Sequence, residues 1–262
     1  MQAFKYQNSS SLADAAVASR TEGVKLLAGG QSLLAAMKLG LSAPDVLVDL
    51  GAVTELRGVT VTGGSVKIGA MCTHAEVAAH PEVVKLIPAL AELAGHIGDR
   101  QVRHRGTLGG SLANNDPAAC YPAAVLGLGA TIHTHTRTIA ADSFFTGLYE
   151  TALQTGEVIT AVSFPVPHKA GWQKFKQPAS RFSLVGVFVS RGPQGVRVAV
   201  TGAGACVFRA TALEARLAAD WSAAALDGAT VSAEGLNSDL HGSAEYRAAL
   251  IPVLAARAVA AG

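Results

Sequence analysis

Residues 24–50 read VKLLAGGQSLLAAMKLGLSAPDVLVDL, and the order of features in this stretch decides the architecture. Val24–Ala28 is a short, mostly apolar run that suits a strand. It stops at Gly29-Gly30, passes through Gln31-Ser32, and gives way at Leu33–Leu39 to a helical stretch. After Pro44 a second apolar run, Val46–Leu50, predicts another strand. Strand, glycine turn, helix and strand in that order form a βαβ-type unit, so this part of the chain pairs in parallel.

Outward from this unit the pattern becomes mixed. Upstream, Ser11 to Asp14 has the form of a capping box and predicts a helix to about Arg20. Downstream, Val59, Val61, Val66 and Ile68 alternate around Gly63-Gly64 and predict an antiparallel hairpin. Residues 73–98 read as helical, opened by Thr73 with Glu76 and divided by Pro81 and Pro88. Arg105 to Pro122 reads as a glycine-rich turn region, and Ala123–His135 and Val158–Phe164 as strands. Pro165-Val166-Pro167 followed by Lys169-Ala170-Gly171 marks a boundary. Beyond it, Leu184–Ser190 and Val196–Val200 flank Arg191-Gly192-Pro193-Gln194-Gly195 as a second hairpin. Thr211 with Glu214 predicts a helix cap, and Tyr246, Leu250, Val253 and Leu254 place an apolar stripe on the last helix. The fold class expected is α+β.

Composition narrows the functional classes. Half of the 262 residues are hydrophobic, 15% are charged and the net charge is +2, so the chain can bury a core and lacks the strong positive field of a nucleic-acid binder. Aromatic residues at 5% give little stacking surface for single strands. The three cysteines, Cys72, Cys120 and Cys206, are scattered without a CxxC pair. They fit a reducing compartment, and this chain alone supplies no four-cysteine iron–sulfur site. Mean hydropathy is +0.33, yet Leu184–Val189 is too short to span a membrane and Ala248–Gly262 is broken by Pro252 and Arg257. The N-terminal MQAFKYQNSS has neither the apolar core nor the cleavage site of a secretory signal, so a cytoplasmic location is expected.

The chain makes one kind of loop twice: Ala28-Gly29-Gly30-Gln31-Ser32 and Thr107-Leu108-Gly109-Gly110-Ser111. Paired glycines let backbone N–H groups approach an anion, and Ser, Thr and Gln add side-chain donors. The first loop also opens a helix, whose N-terminal amides favour negative charge. A Gly-Gly pair equally serves a tight turn; two such loops point to the two phosphates of a pyrophosphate-containing cofactor. Gly202-Ala203-Gly204-Ala205 imitates a dinucleotide fingerprint, but Val207 stands where the third glycine belongs and the preceding strand is part of a hairpin. His133 and His135 could share a strand face as half a metal site, without a third ligand in view. Arg100, Arg103, His104 and Arg105 form a basic cluster that suits either an anion or solvent. No GxSxG, triad or Cys–His pairing is evident, so no catalytic side chain is assigned, and the chemistry is expected to be carried by a cofactor.

Four blocks carry a further signal: LLAGGQSLLAAMK (Leu26–Lys38), QVRHRGTLGGSLANNDPAA (Gln101–Ala119), KFKQPASRFSLVGV (Lys174–Val187) and SAEYRAAL (Ser243–Leu250). In their order and spacing the chain resembles the FAD-binding medium subunit of molybdenum hydroxylases, the carbon monoxide dehydrogenase and xanthine dehydrogenase family. The resemblance implies a vanillyl-alcohol-oxidase-type FAD-binding domain of two subdomains, residues 1–57 and 58–166, and a C-terminal domain, 167–262, with a three-stranded antiparallel sheet and helices. It implies that FAD lies along Leu27, Ala28, Gly29, Gly30, Gln31, Ser32 and Leu33 and along Thr107, Leu108, Gly109, Gly110 and Ser111, with both sets of backbone amides on the pyrophosphate. Asp116, Ile97, Ile159 and Lys176 align with positions near the cofactor. Many relatives carry Asp at the position of Cys120, where it is expected to bind the adenosine portion; here Asn114, Asn115 and Asp116 are the polar neighbours available instead. Some carry His in place of Gln31.

The implied role is electron transfer within a complex. A large molybdopterin subunit would oxidise the substrate, a small subunit with two [2Fe–2S] clusters would relay electrons, and FAD would pass them to a quinone, carrier protein, oxygen or NAD. A dimer of such heterotrimers is the implied assembly. The alternatives are a self-contained flavin-dependent oxidoreductase and, further off, a non-enzymatic scaffold.

Overall fold

The computed structural model describes all residues, 1–262. The N-terminal sheet is parallel and three-stranded: β1 (Lys5–Asn8), β2 (Val24–Leu27) and β3 (Val46–Asp49) lie in the order β1-β3-β2. The crossovers carry α1 (Leu12–Ala18) and α2 (Leu33–Lys38). Ser11 caps α1 by accepting the Asp14 amide at 3.1 Å, as its position predicts. Strand β1 has no apolar pattern, all four of its residues being exposed, and no local signal announces it.

The second sheet is antiparallel, its strands lying in the order 59–62, 65–69, 159–165, 131–134 and 138–140. Its first hairpin, β4 (Val59–Thr62) and β5 (Ser65–Gly69), turns on Gly63 and Gly64 at φ +58 and +75, the conformation a two-residue hairpin requires. The helical stretch that follows is three pieces, α3 (His74–Ala79), α4 (Pro81–Leu86) and α5 (Pro88–Gly95). Thr73 and Glu76 form a complete capping box. Both prolines stand where a helix needs no donor.

Two expectations fail in the next segment. The supposed turn region contains helices α6 (Arg100–Arg105) and α7 (Leu108–Asn114), and Ala123–His135 is not one strand. Helix α8 (Tyr121–Gly127) occupies its first half and β6 (Thr131–Thr134) its second. Every residue of α8 is buried, so its sequence carries no amphipathic period to separate helix from strand. Strand β7 (Thr138–Ala140), a small hairpin of β8 (Phe145–Gly147) and β9 (Glu150–Thr151), and β10 (Ile159–Pro165) complete this part.

The third sheet has four strands where three were expected: β11 (Lys169–Lys176), β12 (Ser183–Gly192), β13 (Gly195–Thr201) and the two-residue β14 (Phe208–Arg209), all antiparallel. Lys169-Ala170-Gly171 opens β11 and is not a linker. Alternation on β12 explains its unbroken apolar run. Val185, Val187 and Val189 pack with Leu213, Ile251 and Leu254, while Phe188 on the other face joins the core of the second sheet. That core also takes in Trp172, Ala199 and Val207, so the Pro165–Pro167 signal divides sheets and not cores.

Helix α9 (Thr211–Ala219) begins one residue after Ala210, so Thr211 is helical and caps nothing. Glu214 is buried, pairs with Arg209 and accepts the Val198 amide at 2.9 Å. On α10 (Ala244–Ala261) the stripe is rotated from its predicted position. Tyr246 and Val253 are exposed, and the buried face is Arg247, Ile251, Leu254, Ala255 and Ala258. The Arg247 guanidinium displaces the stripe by reaching inward to the carbonyls of Leu184 and Gly202 at 2.8 and 2.9 Å. No helix is long and apolar enough to cross a membrane.

Candidate cofactor site

The first glycine loop leaves the end of β2 and enters α2. The backbone amides of Ala28, Gly29, Gly30, Gln31, Ser32 and Leu33 have no hydrogen-bond partner within the protein. Such a run of donors is ordinarily satisfied by water or by a ligand. Gly30 takes φ +74, which a side chain resists. Gly29 is required for space: a Cβ there would run into the carbonyl of Arg105 and approach Gly106 Cα to 2.8 Å. The first loop therefore packs backbone against backbone on the segment that leads into the second.

The second loop is built differently. Thr107 caps α7 by accepting the Gly110 amide at 3.1 Å, the Leu108 amide donates to Cys72, the Gly109 amide to Ala70, and the Ser111 amide to Thr107. Four of its five amides are already engaged, that of Thr107 being the exception, so it offers far fewer backbone donors than the first loop, contrary to the expectation that both would. Its glycines serve packing: a Cβ on Gly109 would meet Ala70, and one on Gly110 would meet Thr107 and approach Ala28. The hydroxyls of Ser32 and Ser111 and the amides of Gln31 and Asn114, which take no protein partner, supply the remaining donors.

The two loops border one cavity of about 810 Å³, within the range of small-molecule and cofactor sites. Ile97, Asp116 and Ile159 line it. Leu27 and Leu108 do not; Leu27 packs with Met37 and Leu47, and Leu108 lies in the main core. Lys176 does not line it either. A bulge between Phe175 and Lys176 interrupts the alternation of β11, and a bulge re-aims the side chains beyond it. The lysine in the wall is Lys174.

Lys174 Nζ donates to the His96 carbonyl at 3.1 Å and lies 3.3 Å from Cys120 Sγ, which is 3.6 Å from Ser183 Oγ. No carboxylate pairs with Lys174, so with cysteine at position 120 its cation faces the cavity uncompensated. Among the polar neighbours of Cys120, Asn115 is fully buried, and its side-chain amide donates to the carbonyls of Gly147 and Glu150. It is thus unable to reach a ligand. Asp116 Oδ1 accepts the Ala118 amide at 2.8 Å, and Oδ2 lies 3.4 Å from the Tyr149 hydroxyl. The single Thr201 hydroxyl proton is within reach of the Ala119 carbonyl at 2.7 Å and the Pro117 carbonyl at 3.0 Å, and the Gly202 amide donates to Pro117. The decoy glycine at 202, with φ +83, thereby anchors the cavity floor from the third sheet.

Other titratable groups at the wall are settled by their surroundings. Burial, with Arg103 adding to it, pushes His74 down to about 4, so the ring is neutral at pH 7, and its Nδ1 has no partner. The Arg137 guanidinium hydrogen-bonds Glu157 and, despite an opposing effect of burial, brings its carboxyl to about 2. The basic cluster on α6 turns inward only through Arg103, which donates to the carbonyls of Ile97 and Gly98. His133 bonds Ser163, and His135 accepts the Val158 amide; no group of three metal-ligating side chains forms anywhere in the chain. Lys174, His74, Tyr149, Arg181 and Phe182 also line the cavity, and the sequence reading misses all five. Only the paired lysines of β11 offer a local clue.

The chain has clear relatives among known proteins. Residues 2–167 match the family model described as the FAD binding domain in molybdopterin dehydrogenase. The chain is 36% identical to the nicotine 6-hydroxylase medium subunit of Paenarthrobacter nicotinovorans, across 98% of this chain and 96% of that one. It is 34% identical to the carbon monoxide dehydrogenase medium chain of Hydrogenophaga pseudoflava, across 90% and 88%. Among solved structures, the reconstituted CO dehydrogenase from Oligotropha carboxidovorans superposes with a TM-score of 0.89 at 31% identity, covering 99% of this chain and 97% of that one. The chain belongs to the family of FAD-binding medium subunits of molybdenum-containing hydroxylases and dehydrogenases, and is an oxidoreductase subunit.

Proposed function

We propose that this chain holds FAD in the cavity between its glycine loops and passes electrons from a partner's [2Fe–2S] clusters to an external acceptor. The substrate would be oxidised on a large molybdopterin subunit, and the three chains would assemble as a dimer of heterotrimers. The observation that carries this reading is the run of free amides from Ala28 to Leu33 facing one cavity with Ser32 and Ser111. These groups match a diphosphate: amides and hydroxyls can donate to its oxygens without an ion pair.

When bound, FAD supplies a carrier able to take electrons singly or in pairs. The residues of this chain do the rest. The first loop offsets the diphosphate charge through backbone donors, and Ser111 adds a side-chain donor. Ile97, Leu153 and Ile159 contribute apolar wall that displaces water. Lys174 presents its cation to the interior, where it favours added negative charge. Residues 1–57 and 58–166 would form the two halves of the cradle, with 167–262 closing one side. The relatives act on substrates as different as nicotine and carbon monoxide, which agrees with placing substrate choice on another subunit.

The test is to purify the chain with its partners and measure flavin by absorbance after denaturation. One FAD per chain is expected. Ser32→Ala combined with Ser111→Ala is expected to weaken FAD about tenfold or more, through loss of two hydrogen bonds to a charged group. A colourless complex that takes up no added FAD would overturn the reading.

A further inference from the structure

The three non-glycine residues with left-handed backbone are Asn115 (φ 43), Tyr149 (φ 55) and Arg181 (φ 63). All belong to one place: Tyr149 and Arg181 line the cavity, and Asn115 lies between the lining residues Asn114 and Asp116. Tyr149 is the more demanding case. It is the second tip residue of the β8–β9 hairpin, Gly147-Leu148-Tyr149-Glu150, a position that glycine or asparagine adopts freely and a large aromatic residue resists.

The hairpin is fastened from below. The fully buried Asn115 donates through Nδ2 to the Gly147 carbonyl at 2.9 Å and to the Glu150 carbonyl at 2.7 Å, the residues on either side of the tip. Asn115 is also the left-handed cap of α7, the helix that carries the second glycine loop. Tip and loop therefore share one anchor. The Tyr149 hydroxyl lies 3.4 Å from Asp116 Oδ2, while 58% of the residue remains exposed. An aromatic ring placed over a cavity, in a backbone conformation that works against it and with most of its area open, has apolar surface to bury when a ligand arrives.

Given the reading above that the cavity takes FAD, we propose that Tyr149 is a cofactor-positioning residue whose ring packs on a planar nitrogen heterocycle of the bound dinucleotide, with the adjoining Asp116 carboxylate accepting from that heterocycle or its sugar chain. Adenine and isoalloxazine both have this chemistry, and fragments of FAD separate them.

The experiment compares the wild-type chain with Tyr149→Gly and Tyr149→Phe, measuring dissociation constants for FAD, ADP and FMN together with thermal unfolding midpoints. Glycine keeps φ 55 without resistance and removes the ring together with its hydroxyl, whereas phenylalanine removes the hydroxyl alone. It is expected to weaken FAD about tenfold, by loss of stacking, while the unfolding midpoint of the ligand-free chain stays level or rises. Phenylalanine is expected to keep most of the affinity. A parallel loss for ADP assigns the ring to adenine, and one for FMN assigns it to isoalloxazine. The proposal fails if Tyr149→Gly binds FAD within about twofold of wild type, or if it loses FAD only in step with a falling midpoint. A wild-type chain that binds no FAD would instead overturn the reading of the cavity, and the two failures are told apart by that arm.

Discussion

Gly29→Ala is expected to weaken FAD about a hundredfold or more and to destabilise the chain by about 3 kcal/mol, the upper end of overpacking costs. Both neighbours of the new methyl group are backbone: the Arg105 carbonyl and Gly106 Cα. Neither can rotate away as a side-chain end would, so the two loops must separate, and the free amides of the first then lose their alignment with Ser111. Two internal controls isolate this cause. Gly40, at φ +73, has nothing within 4 Å of the position a methyl group would take; Gly40→Ala should cost about 1 kcal/mol through backbone conformation alone and leave FAD affinity unchanged. Gly30→Ala adds contact with the end of Leu34, at 2.9 Å, and should fall between the two. Urea unfolding and FAD titration of the three variants check the order. If Gly29→Ala is no worse than Gly40→Ala, backbone contact does not hold the loops together.

The second large effect concerns acid. The ordinary histidine value is about 6.5, and burial lowers His74 to about 4 in the folded chain. Between these values the unfolded chain binds the extra proton. Stability from neutral His74 is therefore complete above about pH 6.5 and is lost as pH falls toward 4, by about 3 kcal/mol at most. His74→Leu is expected to remove this slope, with urea midpoints at about pH 7, 5.5 and 4.5 lying closer together than in wild type. Glu157, lowered to about 2, is an acid whose charged form the fold favours, and its contribution is lost only as pH falls from about 4.5 to 2, mostly outside that window. The His74 backbone amide donates to Gly106 at 2.9 Å, so protonation strains the entry to the second loop, and flavin release should accelerate over the same pH range. An unchanged slope in His74→Leu would remove His74 as its source.

What is legible in the sequence is what local chemistry demands. Gly29-Gly30 and Gly109-Gly110 stand out because few other residues tolerate those positions, and Thr73 with Glu76 forms a cap within a single turn. The functions of the two loops then diverge for reasons outside any short window. The Gly109 and Leu108 amides are engaged by Ala70 and Cys72, residues far upstream that the fold brings alongside. Lys176 is turned off the face it would share with Lys174 by a bulge that a pattern of period two cannot represent. Helix α8 is hidden by burial on all sides, although Pro122 in its first turn is a usable start signal. Nothing in Gly147–Glu150 marks Tyr149, since its position depends on Asn115, in a distant part of the chain.

The recognisable module and the working one differ in length. The family match ends at residue 167, but Thr201 and Gly202 tether Pro117 and Ala119 below the cavity, and Trp172 and Phe188 complete the main core. A fragment ending at 167 would keep every glycine of both loops and still lack the ballast beneath them. Any foreign tail grafted at that joint must bring its own hydroxyl and amide to those two carbonyls, or the berth for the dinucleotide will sag.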